Sequence, residues 1–265
     1  MISMSFINNM PAGVVALVLM VLTVAFAWLG HLLRQAILKR KPEHEEASLG
    51  GLEAALLGLL ALLLAFTFSL AQMRYENRRQ AVIEEANCIG TAFLRTDMYP
   101  EPERTAFRAD FKEYIEARIS FLDAKRDWQK INESLRRAGD ISGRIFQRAS
   151  RLSQDPKNLS ASNQMIPALN NMIDIVTVRN ASLLARVPSP IIRLLFYLTV
   201  ITGLVLGYGF KIRKSLDWAM ILIYALFTSL VIFIILDMDR PMRGFINLEG
   251  VNQFIYMLRQ LAGAP

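Results

Sequence analysis

The chain has 265 residues, 53% of them hydrophobic and 20% charged, with a formal net charge of +7 and a mean hydropathy of +0.31. That apolar share is too high for an ordinary soluble domain and that charged share too high for a wholly embedded one, so the two must be segregated along the sequence. A single cysteine, Cys88, excludes an internal disulfide and a cysteine-based zinc site; the sequence also has no glycine-rich phosphate loop, nucleophile elbow or Cys/His pair, so enzymatic chemistry has nothing to rest on.

In chain order, an uncharged stretch from Met1 to Met10 precedes an apolar segment from Pro11 to Leu33. Crossing roughly 30 Å of hydrocarbon takes a helix of about 20 residues, so this segment is a membrane span. It is too long, and its flank too uncharged, for a cleaved signal peptide, so it is expected to stay as an anchor. Arg34 to Ser48 is a short connection carrying Arg34, Lys39, Arg40 and Lys41, then Glu43, Glu45 and Glu46, with Gly50 and Gly51 ahead of the second span, Leu52 to Met73. Past Met73 the apolar residues Val82, Ala86, Ile89 and Phe93 keep heptad-like spacing until Pro100 and Pro102, which predicts one long helix leaving the bilayer as an amphipathic stalk.

Phe107, Phe111, Tyr114, Ile115, Phe121 and Leu122 mark the next helix, and Trp128, Ile131, Leu135, Ile145, Phe146 and Leu152 continue it, with Gly139 as the candidate break. Ser153 to Gln164 is polar, contains Pro156 and has no period, so it is the candidate for a mobile loop. Pro167 is placed at the first position of the last extramembrane helix, with Leu169, Ile173, Val176 and Leu183 on one face, ending at Val187 before Pro188 and Pro190. Ile191 to Phe210 and Leu216 to Leu236 are the third and fourth spans. Charge touches the four spans only near their ends, at Glu53, Arg193 and Asp217, from where it can reach the interface.

No strand-like alternation is present, so the fold class is all-α: four transmembrane helices in two hairpins, with a helical extramembrane domain inserted between spans two and three. The corresponding divisions are a first hairpin over residues 1–73, a stalk and helical domain over 74–187, and a second hairpin with a C-terminal tail over 188–265. The basic balance fits anionic lipid headgroups better than nucleic acid. A multi-pass protein of the bacterial inner membrane is expected. Arg34, Lys39, Arg40 and Lys41 in one short loop and Lys211, Arg213 and Lys214 in the other place both hairpin loops in the cytoplasm and the helical domain outside. Arg74, Arg78, Arg79, Arg179, Arg186, Arg240 and Arg243 pull the other way, but long loops count for less in this rule.

Two stretches carry a family resemblance. Phe66-Thr-Phe-Ser-Leu-Ala, Arg74-Tyr75, Arg78-Arg79 and then Glu84-Glu85-Ala86-Asn87-Cys88-Ile89-Gly90-Thr91 resemble the stalk signature of a bacterial integral membrane family labelled bestrophin-like. Asp237-Met-Asp239-Arg240-Pro241, with Gly244 behind it, is similar to that family's closing motif after the fourth span. A remoter resemblance to the bestrophins themselves implies a pentameric anion channel with four membrane segments per subunit, the second helix lining the pore and the large domain cytoplasmic. The chain departs from them in its loop charges and in lacking the acidic cluster of a calcium clasp.

On the second span Leu62, Phe66 and Leu70 recur every four residues, and Arg74 and Arg78 extend the row. Around a symmetric ring such a row makes an apolar pore neck capped by a positive anion vestibule. The plainer reading is a row facing lipid or neighbouring helices, its arginines holding headgroups. A second stripe, Ala54, Gly58, Ala61, Ala65, Ser69 and Gln72, suits close helix packing, with a pore lining as the alternative. In the stalk motif of Glu84, Glu85, Asn87, Gly90 and Thr91, the two acids lie a turn or so beyond Arg78 and Arg79, and pairing across that turn is expected. Asp237 and Asp239 stand beside Arg240, which favours a structural role. Gly203, Gly207 and Gly209 read as a packing motif. His31 and His44, the only histidines, lie across the membrane from the stalk acids, so neither a metal nor a cofactor is expected. The sequence thus points to a homo-oligomer in the lipid bilayer passing small anions along second-span helices. The rival is a non-conducting scaffold whose helical domain binds an envelope or cytoplasmic partner.

Overall fold

A computed structural model describes residues 10–40, 50–125, 127–209, 217–240 and 244–263. Among these the chain is helical throughout, without a strand: α1 Ala12–Arg40, α2 Gly50–Leu94, α3 Glu103–Asp123, α4 Trp128–Leu152, α5 Leu159–Leu184, α6 Ser189–Gly209, α7 Trp218–Met238 and α8 Glu249–Leu261, with short 3₁₀ turns at Arg95–Met98 and Pro156–Asn158. The helices sort into two compact units. One contains the described residues up to Arg74 together with Arg186–Ile246; the other contains Tyr75–Ala185 and the described residues from Asn247 onward.

Among the described residues the first unit holds four helices long and apolar enough to cross a membrane, α1, the first half of α2, α6 and α7. Lipid tails are as apolar as leucine, so such helices associate through backbone approach and packing rather than hydrophobicity. The chain supplies glycine for this. A Cβ on Gly207 would overlap the carbonyl oxygen of Ala27, one on Gly30 would overlap that of Leu204, and one on Gly203 would come within 2.9 Å of the Thr23 oxygen. Thus α1 and α6 meet backbone to backbone, with Ala27 fully buried between them. Replacing Gly207 by Ala is expected to force the pair apart, at a cost of about 1–3 kcal/mol, and to lower the melting temperature of the detergent-solubilised protein. An unchanged melt would show that the pair yields without cost. The hairpin connections, 41–49 and 210–216, lie outside the described residues, and α1 packs closely on both α6 and α7.

The second unit is a helical bundle with one core. Val82, Ala86, Ile89 and Phe93 of α2, the heptad row, are buried against Phe107, Phe111 and Tyr114 of α3, Ile141 and Ile145 of α4, and Met165, Leu169 and Met172 of α5. Phe93 meets Phe111 edge to face at 6.0 Å. Two boundaries differ from the sequence expectation. Helix α3 ends at Asp123 and α4 starts afresh at Trp128, so the break falls there, and α4 runs through Gly139 uninterrupted. The expected loop at Ser153–Gln164 contracts to a bend and a 3₁₀ turn capped by Asp155, and α5 begins at Leu159, so that Pro167 lies inside it. Tertiary burial is the cause: Ala161, Ser162 and Met165 are buried, and Ser162 shares a 3.0 Å hydrogen bond with the Tyr99 hydroxyl.

The third difference is α8, in the stretch expected as a C-terminal tail. Ile255 and Leu258 dock into the core of the second unit, and Arg259 donates two hydrogen bonds to Glu116 at 2.7 and 2.6 Å. The Tyr256 hydroxyl donates to Asp123 at 2.6 Å. Desolvation first, and then this bond, raise the phenol from its ordinary value of 10.0 to about 12. Folding therefore favours the protonated phenol. Its contribution is complete below pH 10 and is lost as pH rises toward 12. The stability advantage of the wild type over Tyr256→Phe is expected to be constant up to pH 10 and to shrink beyond it; a pH-independent difference in melting temperature would refute the coupling.

Candidate functional site

The second span shows two different sides. Leu60, Thr67 and Ala71 are buried by the chain's own helices, Leu60 in a cluster with Leu195 and Leu198 of α6. Leu62 and Phe66 are 53% and 61% exposed, Leu70 is half-buried, and Ala54, Gly58, Ala61, Ala65, Ser69 and Gln72 are all exposed. A Cβ on Gly58 would meet nothing within 4 Å. The small-residue stripe is therefore not used for packing inside the chain. That work falls to Gly30, Gly203 and Gly207, of which the sequence reading singled out the last two.

The arginine end of the apolar row does not hold together. Residues four apart advance by about 400° on a helix of 3.6 residues per turn, so the row slips by about 40° per step and has swung to nearly the opposite face between positions 62 and 78. Arg78 is accordingly buried, donating from Nε to the carbonyl of Ser182 at 3.0 Å and from Nη2 to that of Ala185 at 2.6 Å. It closes the C-terminal end of α5, whose last carbonyls have no partner within the helix. Arg74, half-buried, donates to the Arg186 carbonyl. The stripe of small residues advances by 3.6 on average, and its face stays open along the same helix through Glu76, Gln80, Glu84, Asn87, Thr91 and Leu94.

The stalk motif divides in the same way. Glu84, Asn87 and Thr91 are exposed, and Gly90 lies against Leu258, 3.5 Å from where a Cβ would stand. Glu85 is fully buried. The expected pairing with Arg78 or Arg79 does not form: Arg79 bonds Glu76 at 2.9 Å on the surface, whereas Glu85 accepts from Arg118 Nε at 2.5 Å and from Arg179 Nη1. Both guanidinium groups flank the Phe121 ring, their carbons 4.8 and 5.3 Å from its centroid. The sequence signal for this cluster was an acid set among the buried heptad positions and an arginine, Arg118, among the apolar residues of α3.

The closing motif is structural. Asp239 accepts from the Val187 N–H at 2.9 Å and Asp237 from the Ile246 N–H at 2.8 Å, while a Cβ on Gly244 would come within 2.8 Å of Asp237. Arg240 donates to the Met10 carbonyl. His31 shares a 2.8 Å hydrogen bond with Gln35, and His44 lies outside the described residues. Among the described residues no three His, Cys, Asp or Glu side chains converge as a metal site.

Long apolar helices in one unit and a buried helical core in the other define an all-α, multi-pass integral membrane protein. The sequence profile of the Bestrophin-like domain matches residues 21–251, and the chain belongs to that family. Its fold is similar to the crystal structure of a mutated bacterial bestrophin homologue from Klebsiella pneumoniae, with a TM-score of 0.70 at 11% sequence identity, covering 92% of this chain and 98% of that one. A search of curated proteins finds no match.

Proposed function

We propose that the chain assembles with copies of itself into a channel for small anions, with the open face of α2 turned toward the axis. The observation that carries this reading is the chemistry of that face. Most exposed residues on the apolar stretches of α1 and α7 are large and apolar, such as Leu17, Val21, Trp28, Leu222, Phe227 and Leu230, as hydrocarbon requires. On α2 the open side includes Ala54, Gly58, Ala61, Ala65, Ser69 and Gln72, and only 17% of its most apolar window is buried, against 33–39% for the other spans. Small and polar groups gain little from lipid; they suit a neighbouring helix or water. Family membership supports the same reading.

Purified protein in liposomes tests it. Chloride efflux above that of protein-free vesicles is expected, and its absence from correctly assembled particles would overturn the reading. One feature favours the scaffold alternative: a groove in the second unit lined by Ala86, Asn87, Gly90, Thr91, Leu94, Phe254 and Leu258, with Leu94 and Phe254 56% and 46% exposed. Such a protein would show no flux at all.

For orientation we keep cytoplasmic hairpin loops, in the bacterial inner membrane, on the charge of residues 34–41 and 211–214. A cysteine at the exposed position Gln154, in a Cys88→Ser background, is expected to react with an impermeant thiol reagent on intact spheroplasts. Labelling only after lysis reverses the orientation.

A further inference from the structure

The Glu85 cluster in the second unit is short of negative charge. Two guanidinium groups, Arg118 and Arg179, are 0% and 4% exposed at their side chains, and among the described residues Glu85 is the one carboxylate within ion-pair distance of either. Arg118 reaches it through Nε alone and Arg179 through Nη1. That leaves Arg118 Nη1, Arg118 Nη2 and Arg179 Nε shielded from solvent and without an acceptor. Phe121 lies against both cations. A ring face attracts a cation but offers no lone pair to the N–H groups at its edge.

Buried donors require an acceptor, and a buried net charge requires a counter-charge. A water molecule would answer the first requirement and leave the second. A small monovalent anion answers both at once. We propose that the extramembrane helical unit binds one halide-sized anion at Arg118 and Arg179, beside Glu85, as a built-in part of its core. The site lies within the bundle of α2, α3 and α5, involves none of the open-face residues of the second span, and stands whether or not the protein conducts.

Two measurements on the full chain in detergent test this. Crystals grown in sodium gluconate and soaked in sodium bromide are expected to show an anomalous peak within hydrogen-bonding reach of Arg118 Nη and Arg179 Nε. No peak there, whatever appears elsewhere, overturns the proposal and leaves water as the acceptor. In solution, exchanging gluconate for chloride at constant ionic strength is expected to raise the unfolding temperature by several degrees in a saturating, single-site manner, and Arg179→Met is expected to abolish the rise. A wild-type melt that is the same in both salts overturns the proposal. If the Met variant does not fold, the bromide peak decides the matter on the wild type. Neither measurement reads flux, so failure here and failure of the channel reading are separate results.

Discussion

Replacing Glu85 by Gln is expected to cost about 3–5 kcal/mol and to abolish cooperative melting of the helical unit near physiological temperature. The change is almost isosteric, so packing is not the cause. Removing the carboxylate charge leaves Arg118 and Arg179 facing each other inside a core where neither reaches water. An exposed pair such as Arg79 with Glu76, half in solvent on both sides, behaves differently: Glu76→Gln is expected to change stability by well under about 1 kcal/mol. A control separates charge imbalance from a need for polarity. Replacing all three residues together, Glu85→Leu with Arg118→Met and Arg179→Met, removes every charge of this cluster and is expected to recover most of the loss. Melting of the detergent-solubilised chain followed by circular dichroism reads all three. Equal loss in the single and the triple variants would sink the charge argument.

Where the sequence was legible, one physical signal dominated over a long stretch. Four apolar runs of span length are visible because nothing else produces them, and the stalk is visible because Val82, Ala86, Ile89 and Phe93 keep a helical period past the membrane surface. Helix α8 was missed because only Ile255 and Leu258 of its short span are buried, too few to stand out as a period. The start of α5 was misplaced because Pro167 reads locally as a helix opener, while the burial of Ser162 and Met165, a tertiary effect, carries the helix back to Leu159. In the candidate site, a four-residue repeat reads as one row in the sequence but rotates around the helix, so that Arg78 caps α5 instead of extending the row. The partners of Glu85 lie 33 and 94 positions away, a separation at which no local pattern speaks.

Shortening Leu62 and Phe66 together to Ala is expected to raise chloride efflux from liposomes several-fold. Both side chains are more than half exposed on α2, and large apolar groups turned toward a narrow axis exclude water; with the bulk removed, the constriction wets. The opposite change at the neighbouring stripe separates the two rows: if Ala65 and Ser69 line the axis, Ala65→Phe is expected to block efflux, whereas if they seat a neighbouring helix, it is expected to break the oligomer in mild detergent. Arg74 is the cation left beside the span once Arg78 is assigned to the end of α5, and its side chain is half-buried. Arg74→Glu is therefore expected to lower or invert the preference for chloride over cations, because a charged mouth sets the local concentration of permeant ions before any of them enters. Bi-ionic reversal potentials in planar bilayers read this directly. Unchanged selectivity in Arg74→Glu, with efflux intact, would remove Arg74 from the conduction path, and unchanged efflux in the Leu62 and Phe66 variant would place those side chains in lipid.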